Sequence, residues 1–287
     1  MVSAVIVTYE PDENKLKKLV FSLINQVSNL IIVNNGGVFD TSYIKDDFFH
    51  RVHIEKLSRN FGIATAQNIG VSIAVSFNSQ YTLLLDQDSV VPESMVSDLI
   101  LGFANRRVAA VGPTVVDSRK KDDFVYYVYG KWKRVNSLKK PPLKNTSFYE
   151  TDCLISSGTI VNNDIFMDNK NKDDLFIEFV DVEWCLRIRS RGYIILFSES
   201  TKMPHELGDS RERLLGVEFP LHRPERYFYV TRNSIYCAVQ SIFPLWFRVY
   251  TMFRLIILIS LVLVKSKNKF SVIKNVAKGI MGVRKIL

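Results

Sequence analysis

Cysteine is scarce in this chain. Cys153, Cys185 and Cys237 are the only three in 287 residues, and no pair has CxxC or CxxxC spacing. That spacing argues against a zinc site, and the odd count argues against a disulfide framework. Both fit a reducing, cytosolic setting. Long uncharged apolar runs are also missing. The longest, residues 255–264, is ten residues, against the roughly 20 needed to cross a bilayer; no transmembrane helix is predicted. Residues 1–9 are too short and lack the basic start of a signal peptide, and read instead as a first strand. No Gly-rich, basic phosphate loop occupies residues 8–18, which counts against a nucleotidylyltransferase. No RNA- or DNA-reading motif and no internal repeat is present, so nucleic acid is not an expected partner.

Acidic residues are nearly absent from one end. Residues 222–287 hold twelve Lys/Arg and one acid, Glu225, a net of +11 within a chain of net +9, so everything before them carries −2. The basic character therefore belongs to the C-terminal region and lies beside apolar sequence. This combination suits an anionic membrane surface. Residues 265–287 place Phe270, Ile273, Ala277, Ile280 and Leu287 on one helical face, with Lys267, Lys274, Lys278 and Lys285 largely off it, an in-plane amphipathic pattern. The alternative is helices packing on the protein's own core or on a second subunit, as in a homo-oligomer.

The hydrophobic fraction of 47% is that of a globular chain. Apolar, β-prone runs at residues 2–7, 30–33, 51–57, 81–85 and 108–111 alternate with helical patterns at 12–25, 64–77 and 93–104. Asp12 is a candidate N-cap of the first. Further on, strands are expected at 124–129 and 193–197 and a helix at 179–191. The alternation predicts an α/β sheet with helices on its faces, where ligands gather at the C-terminal strand ends. Thr8-Tyr9-Glu10, Asn34-Asn35, Asn60 and Asp86-Gln87-Asp88 all fall at such ends. Two carboxylates leaving a buried strand are costly unless compensated, and a hard divalent cation presenting open positions to a phosphate would do so. The alternative for Asp86-Gln87-Asp88 is a polar turn.

Several segments then accumulate into a resemblance: Val5-Ile6-Val7-Thr8-Tyr9, Asn34-Asn35-Gly36, Asn60 through Gly70, Asp86-Gln87-Asp88, and Asp181-Val182-Glu183-Trp184 followed by Gly192-Tyr193. In this order they resemble family 2 glycosyltransferases of the GT-A fold. His205-Glu206-Leu207-Gly208 and the stretch from Arg226 to Asn233 resemble the bacterial rhamnosyltransferase subgroup. The resemblance covers roughly residues 2 to 240 and implies a mixed, mostly parallel sheet flanked by helices. A catalytic domain is expected over residues 1–233 and a C-terminal amphipathic helical region over 234–287.

The resemblance also implies roles. Thr8, Tyr9, Glu10, Asn34, Asn60, Gln67, Asp86 and Gln87 would line the nucleotide-sugar pocket. Asp88, Asp86 and His205 would hold Mg²⁺ or Mn²⁺. Asp181 would be the general base, since inverting transfer needs one carboxylate to take the acceptor's proton. Glu183 is the alternative base, and helix N-capping is the structural alternative for Asp181. Ser157, Gly158, Glu183 and Arg232 would stand on the acceptor or phosphate side, with Arg223 and Arg226 as further candidate phosphate or headgroup contacts. The implied donor is dTDP-β-L-rhamnose. The implied acceptor is a lipid-linked glycan of O-antigen-like surface polysaccharide, at the cytoplasmic face of the bacterial inner membrane. Another nucleotide sugar, or a non-catalytic membrane-associated scaffold, are the other readings.

Overall fold

The computed structural model describes residues 1–37, 49–117, 146–205, 211–214 and 217–287. The expected strand at 124–129 and residues 206–208 of the His205 motif lie outside these. The chain forms two compact units: residues Met1–Asp173 with Val180–His205, and Asp174–Phe179 with Glu206–Leu287. The second unit thus begins well before the boundary expected at residue 233.

The first unit is an eight-stranded sheet, made of β1 (Val2–Thr8), β2 (Asn29–Asn34), β3 (Val52–Lys56), β4 (Tyr81–Asp86), β5 (Val108–Asp117), β6 (Phe148–Glu150), β7 (Thr159–Asn162) and β8 (Ile194–His205). Their order is β3-β2-β1-β4-β7-β5-β8-β6. The β3-β2-β1-β4 half is parallel, β7 runs antiparallel to both β4 and β5, and β6 runs antiparallel to β8. Chain order proceeds outward from β1 to β3 on one side and resumes at β4 on the other. The gap between β1 and β4 is therefore the topological switch point, where such sheets bind ligands.

The apolar runs are continuous because both sheet faces are covered, and successive residues alternate between two cores. Ala4, Ile6, Leu30, Ile32, Leu83 and Leu85 pack with Leu16, Leu19 and Leu23 of α1 (Glu13–Leu23) and with Met95 and Leu99 of α3 (Met95–Ile100). Val5, Ile31, Val33 and Leu84 pack on the other face. Their partners there are Ala66, Val71 and Ala74 of α2 (Ile63–Ser76), Phe166 of α4 (Asn163–Asp168) and Trp184 and Ile188 of α5 (Val180–Ser190). Asp12 caps α1, accepting from the amides of Asn14 and Lys15 at 3.0 and 3.1 Å. At Gly70 an added Cβ would lie 2.4 Å from Val5 Cγ1, so α2 meets the sheet at a distance only glycine allows.

The second unit has a short hairpin of β9 (Arg211–Leu214) and β10 (Val217–Pro220), and three helices: α6 (Arg226–Val239), α7 (Leu245–Lys265) and α8 (Lys269–Gly282). Tyr227, Phe219, Val262 and Val272 form its core, and α6 packs against both α7 and α8. This packing places α6 in the second unit and moves the boundary. α7 is a single helix of 21 residues that contains an 18-residue stretch of mean hydropathy 2.1, by length and composition enough to cross a membrane. The ten-residue run counted from the sequence missed this, because Arg248 and Arg254 interrupt the run without breaking the helix.

Candidate active site

β1, β2 and β4 end side by side. Their register aligns Thr8 with Asn34 and Val7 with Asp86, so three of the predicted site residues meet at one sheet edge beside the switch point. Thr8 is fully buried, and its Oγ1 has no hydrogen-bond partner among the described residues. A buried hydroxyl left this way is unfavourable unless a ligand completes it.

Asp86 is the most perturbed group of this edge. Its carboxyl is pushed up to about 6, first by loss of water around it and then by the negative charge of Asp88. Asp88 itself is exposed. Gln87, between them, is bonded to the Tyr9 backbone. Its Oε1 accepts the Tyr9 amide at 2.8 Å and its Nε2 donates to the Tyr9 carbonyl at 3.3 Å, tying the loop after β1 to the loop after β4. Tyr9 is 44% exposed, and Glu10 follows with a left-handed φ of 47°.

The amides predicted to read the nucleotide are largely engaged in building the loops. Asn34 closes a turn on Gly37, accepting its N–H at 2.9 Å and donating to its carbonyl at 2.6 Å. Asn35, placed at a strand end from the sequence but given no role there, donates to Asn60 Oδ1 at 3.0 Å and accepts the Phe61 amide at 2.8 Å, while Asn60 Oδ1 also accepts Gly62 N–H at 2.9 Å. Gly36 makes this approach possible. Its φ is 90°, and a Cβ there would stand 2.3 Å from the Arg59 carbonyl carbon. The sequence signal for Asn35 was present: the second Asn of Asn34-Asn35-Gly36 precedes a glycine that must be left-handed. Gln67 is buried on α2, its Oε1 accepting Asn171 Nδ2 at 2.8 Å. The neighbouring Asn68 bonds the Asn171 backbone and Asp173.

Ser157 and Gly158 adjoin the end of β4. Ser157 Oγ lies 2.6 Å from Ser89 Oγ and accepts weakly from the Asp86 amide at 3.4 Å, and Gly158 N–H donates to the Leu84 carbonyl at 2.8 Å. Ser89, also missed from sequence, makes a hydroxyl pair that supports the Asp86 turn.

Asp181 and Glu183 both stand in the first turn of α5, where a helix N-terminus favours negative charge. They differ in what they touch. Glu183 is fully buried and pairs with Arg187 through both oxygens, at 2.8 and 3.0 Å. That pair is a structural clasp, and Glu183 is not available as a base. Asp181 accepts the Val182 amide at 2.8 Å and borders a small cavity of about 20 Å³ shared with Gln67, Ser156, Thr159 and Asn171. Beside it the thiols of Cys153 and Cys185 contact one another, and that contact together with burial pushes the Cys153 thiol well up.

His205 ends β8, and its side chain lies outside the described residues. Arg232 belongs to the second unit. Its guanidinium is buried there, bonded to the carbonyls of Asp174 and Leu175 and to Asn233 Oδ1, and lies over the Phe228 and Tyr229 rings. It is thus engaged within its own unit; the sequence had offered it for the acceptor or phosphate side.

Among the described residues no three His, Cys, Asp or Glu side chains converge on one point. Asp86 and Asp88 nonetheless suit a hard divalent cation. Two carboxylates, one of them desolvated and repelled by the other, are the donor set with which a protein holds Mg²⁺ or Mn²⁺ when substrate phosphates and water complete the shell.

Comparison with known proteins gives the family and the fold. The family described as Glycosyl transferase family 2 matches residues 3–169. The dTDP-rhamnosyl transferase RfbF of Shigella flexneri is 30% identical over 96% of this chain and 92% of its own length. Among solved structures, S. aureus TarS (residues 1–349) in complex with UDP-GlcNAc superposes with a TM-score of 0.60 at 14% identity, covering 98% of this chain and 81% of that one. GalNAc-T7 with UDP, GalNAc and Mn²⁺ superposes with a TM-score of 0.57 at 16% identity, covering 88% of this chain but only 54% of that one. The structural likenesses show the shared GT-A fold. With the family match spanning more than half of the sequence and a relative aligned along nearly all of it, the chain belongs to glycosyltransferase family 2.

Proposed function

We propose that this protein is an inverting, metal-dependent glycosyltransferase that moves L-rhamnose from dTDP-β-L-rhamnose to a hydroxyl of a lipid-linked glycan in O-antigen-like polysaccharide assembly. The observation that carries the chemistry is the edge where Thr8, Asn34 and Asp86 meet, with Asp88 two residues on. The donor assignment rests on the near full-length likeness to a dTDP-rhamnosyl transferase.

In this reading the nucleotide lies over the loops after β1 and β2; Gln87 ties the first to the loop after β4, and the Asn34–Gly37 and Asn35–Asn60 bonds hold the second. Such preorganisation avoids reordering at the moment of reaction. Asp86 and Asp88, with His205 as a further candidate, would hold the cation, which when bound neutralises charge building on the departing diphosphate. Asp181 takes the proton from the acceptor hydroxyl as its oxygen bonds to C1 of the sugar. The bond from C1 to the diphosphate oxygen breaks on the opposite face, so the β donor gives an α-L-rhamnoside. One base suffices for this displacement, in keeping with the pairing of Glu183 to Arg187.

The second unit supports a membrane role. α7 buries Phe247, Thr251, Leu255 and Val262 within the protein and exposes Leu245, Val249, Phe253, Ile256 and Val264. α8 exposes Phe270, Ile273, Ile280 and Met281 beside the exposed cations Lys269, Lys274 and Lys278. A helix with one apolar face in its own core and another facing outward, next to lysines, suits an interfacial anchor on an anionic leaflet better than a crossing. Such an anchor would keep the enzyme at the cytoplasmic face, where a lipid-linked acceptor resides.

The test is nucleotide release from a panel of dTDP-, UDP- and GDP-sugars, with Mg²⁺, Mn²⁺ or EDTA, and with and without extracted lipid-linked glycan. Cation-dependent turnover confined to dTDP-rhamnose is the expected result. Selective turnover of another donor would overturn the rhamnose assignment, and no donor binding at all would overturn the enzyme reading.

A further inference from the structure

α2 is unusual for a helix at a protein surface. Its 14 residues include no charged one, although a helix between a sheet and water ordinarily carries charge on its outer side. That outer side is open. Thr65, Ile69, Ser72, Ile73 and Ser76 recur at helical spacing, each half-buried or exposed, and they floor a groove of about 570 Å³. The volume is that of a ligand pocket. From Thr65 to Ser76 the helix advances about 16 Å at 1.5 Å per residue, which is longer than one sugar ring.

The wall of the groove is fixed within the first unit. Asn68 grips Asn171, donating to its carbonyl at 2.9 Å and accepting its N–H at 3.0 Å. Asp173 Oδ1 accepts from Thr65 Oγ1 and from Asn68 Nδ2, both at 2.9 Å. Arg187 Nη2 donates to the Lys170 carbonyl at 3.0 Å, and Trp184 Nε1 to the Asn169 carbonyl at 2.7 Å. Residues 169–173 are therefore held along α2 without a ligand, and such a wall loses little freedom on binding.

The lining selects by chemistry. Its charged members are two acids, Glu55 and Asp173, and one lysine, Lys170, so it does not concentrate positive charge for a phosphate or a nucleic acid. Ile69 and Ile73 are too little apolar surface for an acyl chain or an amphipathic helix. What the groove offers is hydrogen bonding. Ser72 and Ser76 donate to the carbonyls of Asn68 and Ile73 at 2.8 and 2.7 Å, which leaves their oxygens to accept. The carboxylates accept as well, and the Lys170 ammonium donates. A neutral chain of hydroxyl-bearing rings matches this set, with Ile69 and Ile73 against its C–H faces.

The Asn171 turn gives the groove its place. On one side it is gripped by Asn68. On the other its Nδ2 donates to Gln67 Oε1 at 2.8 Å, and Gln67 and Asn171 both line the small cavity that Asp181 borders. The Thr65 end of the groove and the candidate base thus share one turn of chain. We propose that the groove along α2 is a subsite for the acceptor glycan, holding sugar residues of the chain behind the one whose hydroxyl reacts. The inference rests on the acceptor being a glycan and assigns where its length is read.

The test uses the full-length chain, the donor that the panel identifies, and extracted lipid-linked glycan separated by chain length. In the wild type the acceptor KM is expected to fall as the chain lengthens, with kcat unchanged. Two variants probe the groove: Lys170→Gln removes its cationic donor, and Ser76→Trp fills it from an exposed helix position. Each should raise the KM for the longest fraction about tenfold, the scale of one hydrogen bond to a charged group. Their kcat, their KM for the shortest fraction and their donor hydrolysis without acceptor should match wild type. A wild-type KM independent of chain length would overturn the proposal, as would unchanged KM values in both variants. Equal rises for short and long fractions would overturn it too, since they mark a general disturbance of the unit. If one variant does not fold, the other decides. Donor turnover with transfer to no fraction would sink the glycan-acceptor reading and the groove with it; transfer without dependence on length would sink the groove alone.

Discussion

Replacing Asp86 with Asn should stabilise the metal-free protein while abolishing transfer. The Asp86 carboxyl is raised from 3.8 to about 6 by desolvation and by Asp88. Because the folded value lies above the unfolded one, the protonated carboxyl favours folding. That contribution is whole below about pH 4 and is lost as pH rises through about 6. A rise of this size, at about 1.4 kcal/mol per pH unit, makes the ionised carboxylate cost at most about 3 kcal/mol at pH 7 and above. Asp86→Asn removes the ionisation. The stability difference, variant minus wild type, should therefore rise between about pH 4 and 6 and level off above about 7. Urea unfolding in EDTA at several pH values measures it. Adding Mn²⁺ with nucleotide should reverse the order, since a ligand that binds only the folded wild type stabilises it. A difference that stays flat across pH 4 to 8 would refute the reasoning, because the variant's effect would then owe nothing to charge.

Other consequences can be measured on the same protein. Glu183→Ala leaves Arg187 buried without its carboxylate partner, with only the Asn169 and Lys170 carbonyls to bond, and should cost about 3–5 kcal/mol in chemical denaturation; a loss below about 1 kcal/mol would show that water reaches the guanidinium. Gly36→Ala forces a Cβ to within 2.3 Å of the Arg59 carbonyl carbon, and should loosen the Asn34 and Asn35 turns and weaken nucleotide binding, read by calorimetry. Changing Lys269, Lys274 and Lys278 together to Ala should weaken binding to phosphatidylglycerol vesicles by about 3 kcal/mol, roughly 100-fold, at about 1 kcal/mol per cation, and leave binding to neutral vesicles unchanged in sedimentation.

The parallel half of the sheet was legible because its signals are local. Residues 30–33 and 81–85 are short apolar runs closed by Asn-Gly or Asp, and Asp12 stands where an N-cap should. β6 and β7 were not legible. β6 has three residues and β7 four, and what makes them strands is pairing with β8, β4 and β5 across a long sequence separation. The same holds for α7, where Arg248 donates to the Ala238 carbonyl at 2.6 Å, so its charge meets the C-terminal end of α6 and the helix continues past it.

For the site, what sequence could supply was which residue types stand at which strand ends; what it could not supply was which of them are already occupied. Asn34, Gln87 and Glu183 have the right chemistry at the right places, yet each makes paired bonds to the protein itself: Gly37, Tyr9 and Arg187. Thr8 and Asp86 are the opposite case. A fully buried hydroxyl without a partner among the described residues, and a carboxyl pushed up by burial and by its neighbour, are both unfavourable in the free protein. Their cost falls only if something polar and cationic arrives. Asn34, Gln87 and Glu183 are thereby set apart from Thr8 and Asp86 by bonds such as that from the Tyr9 amide to Gln87, 78 residues away in sequence, which no local motif encodes.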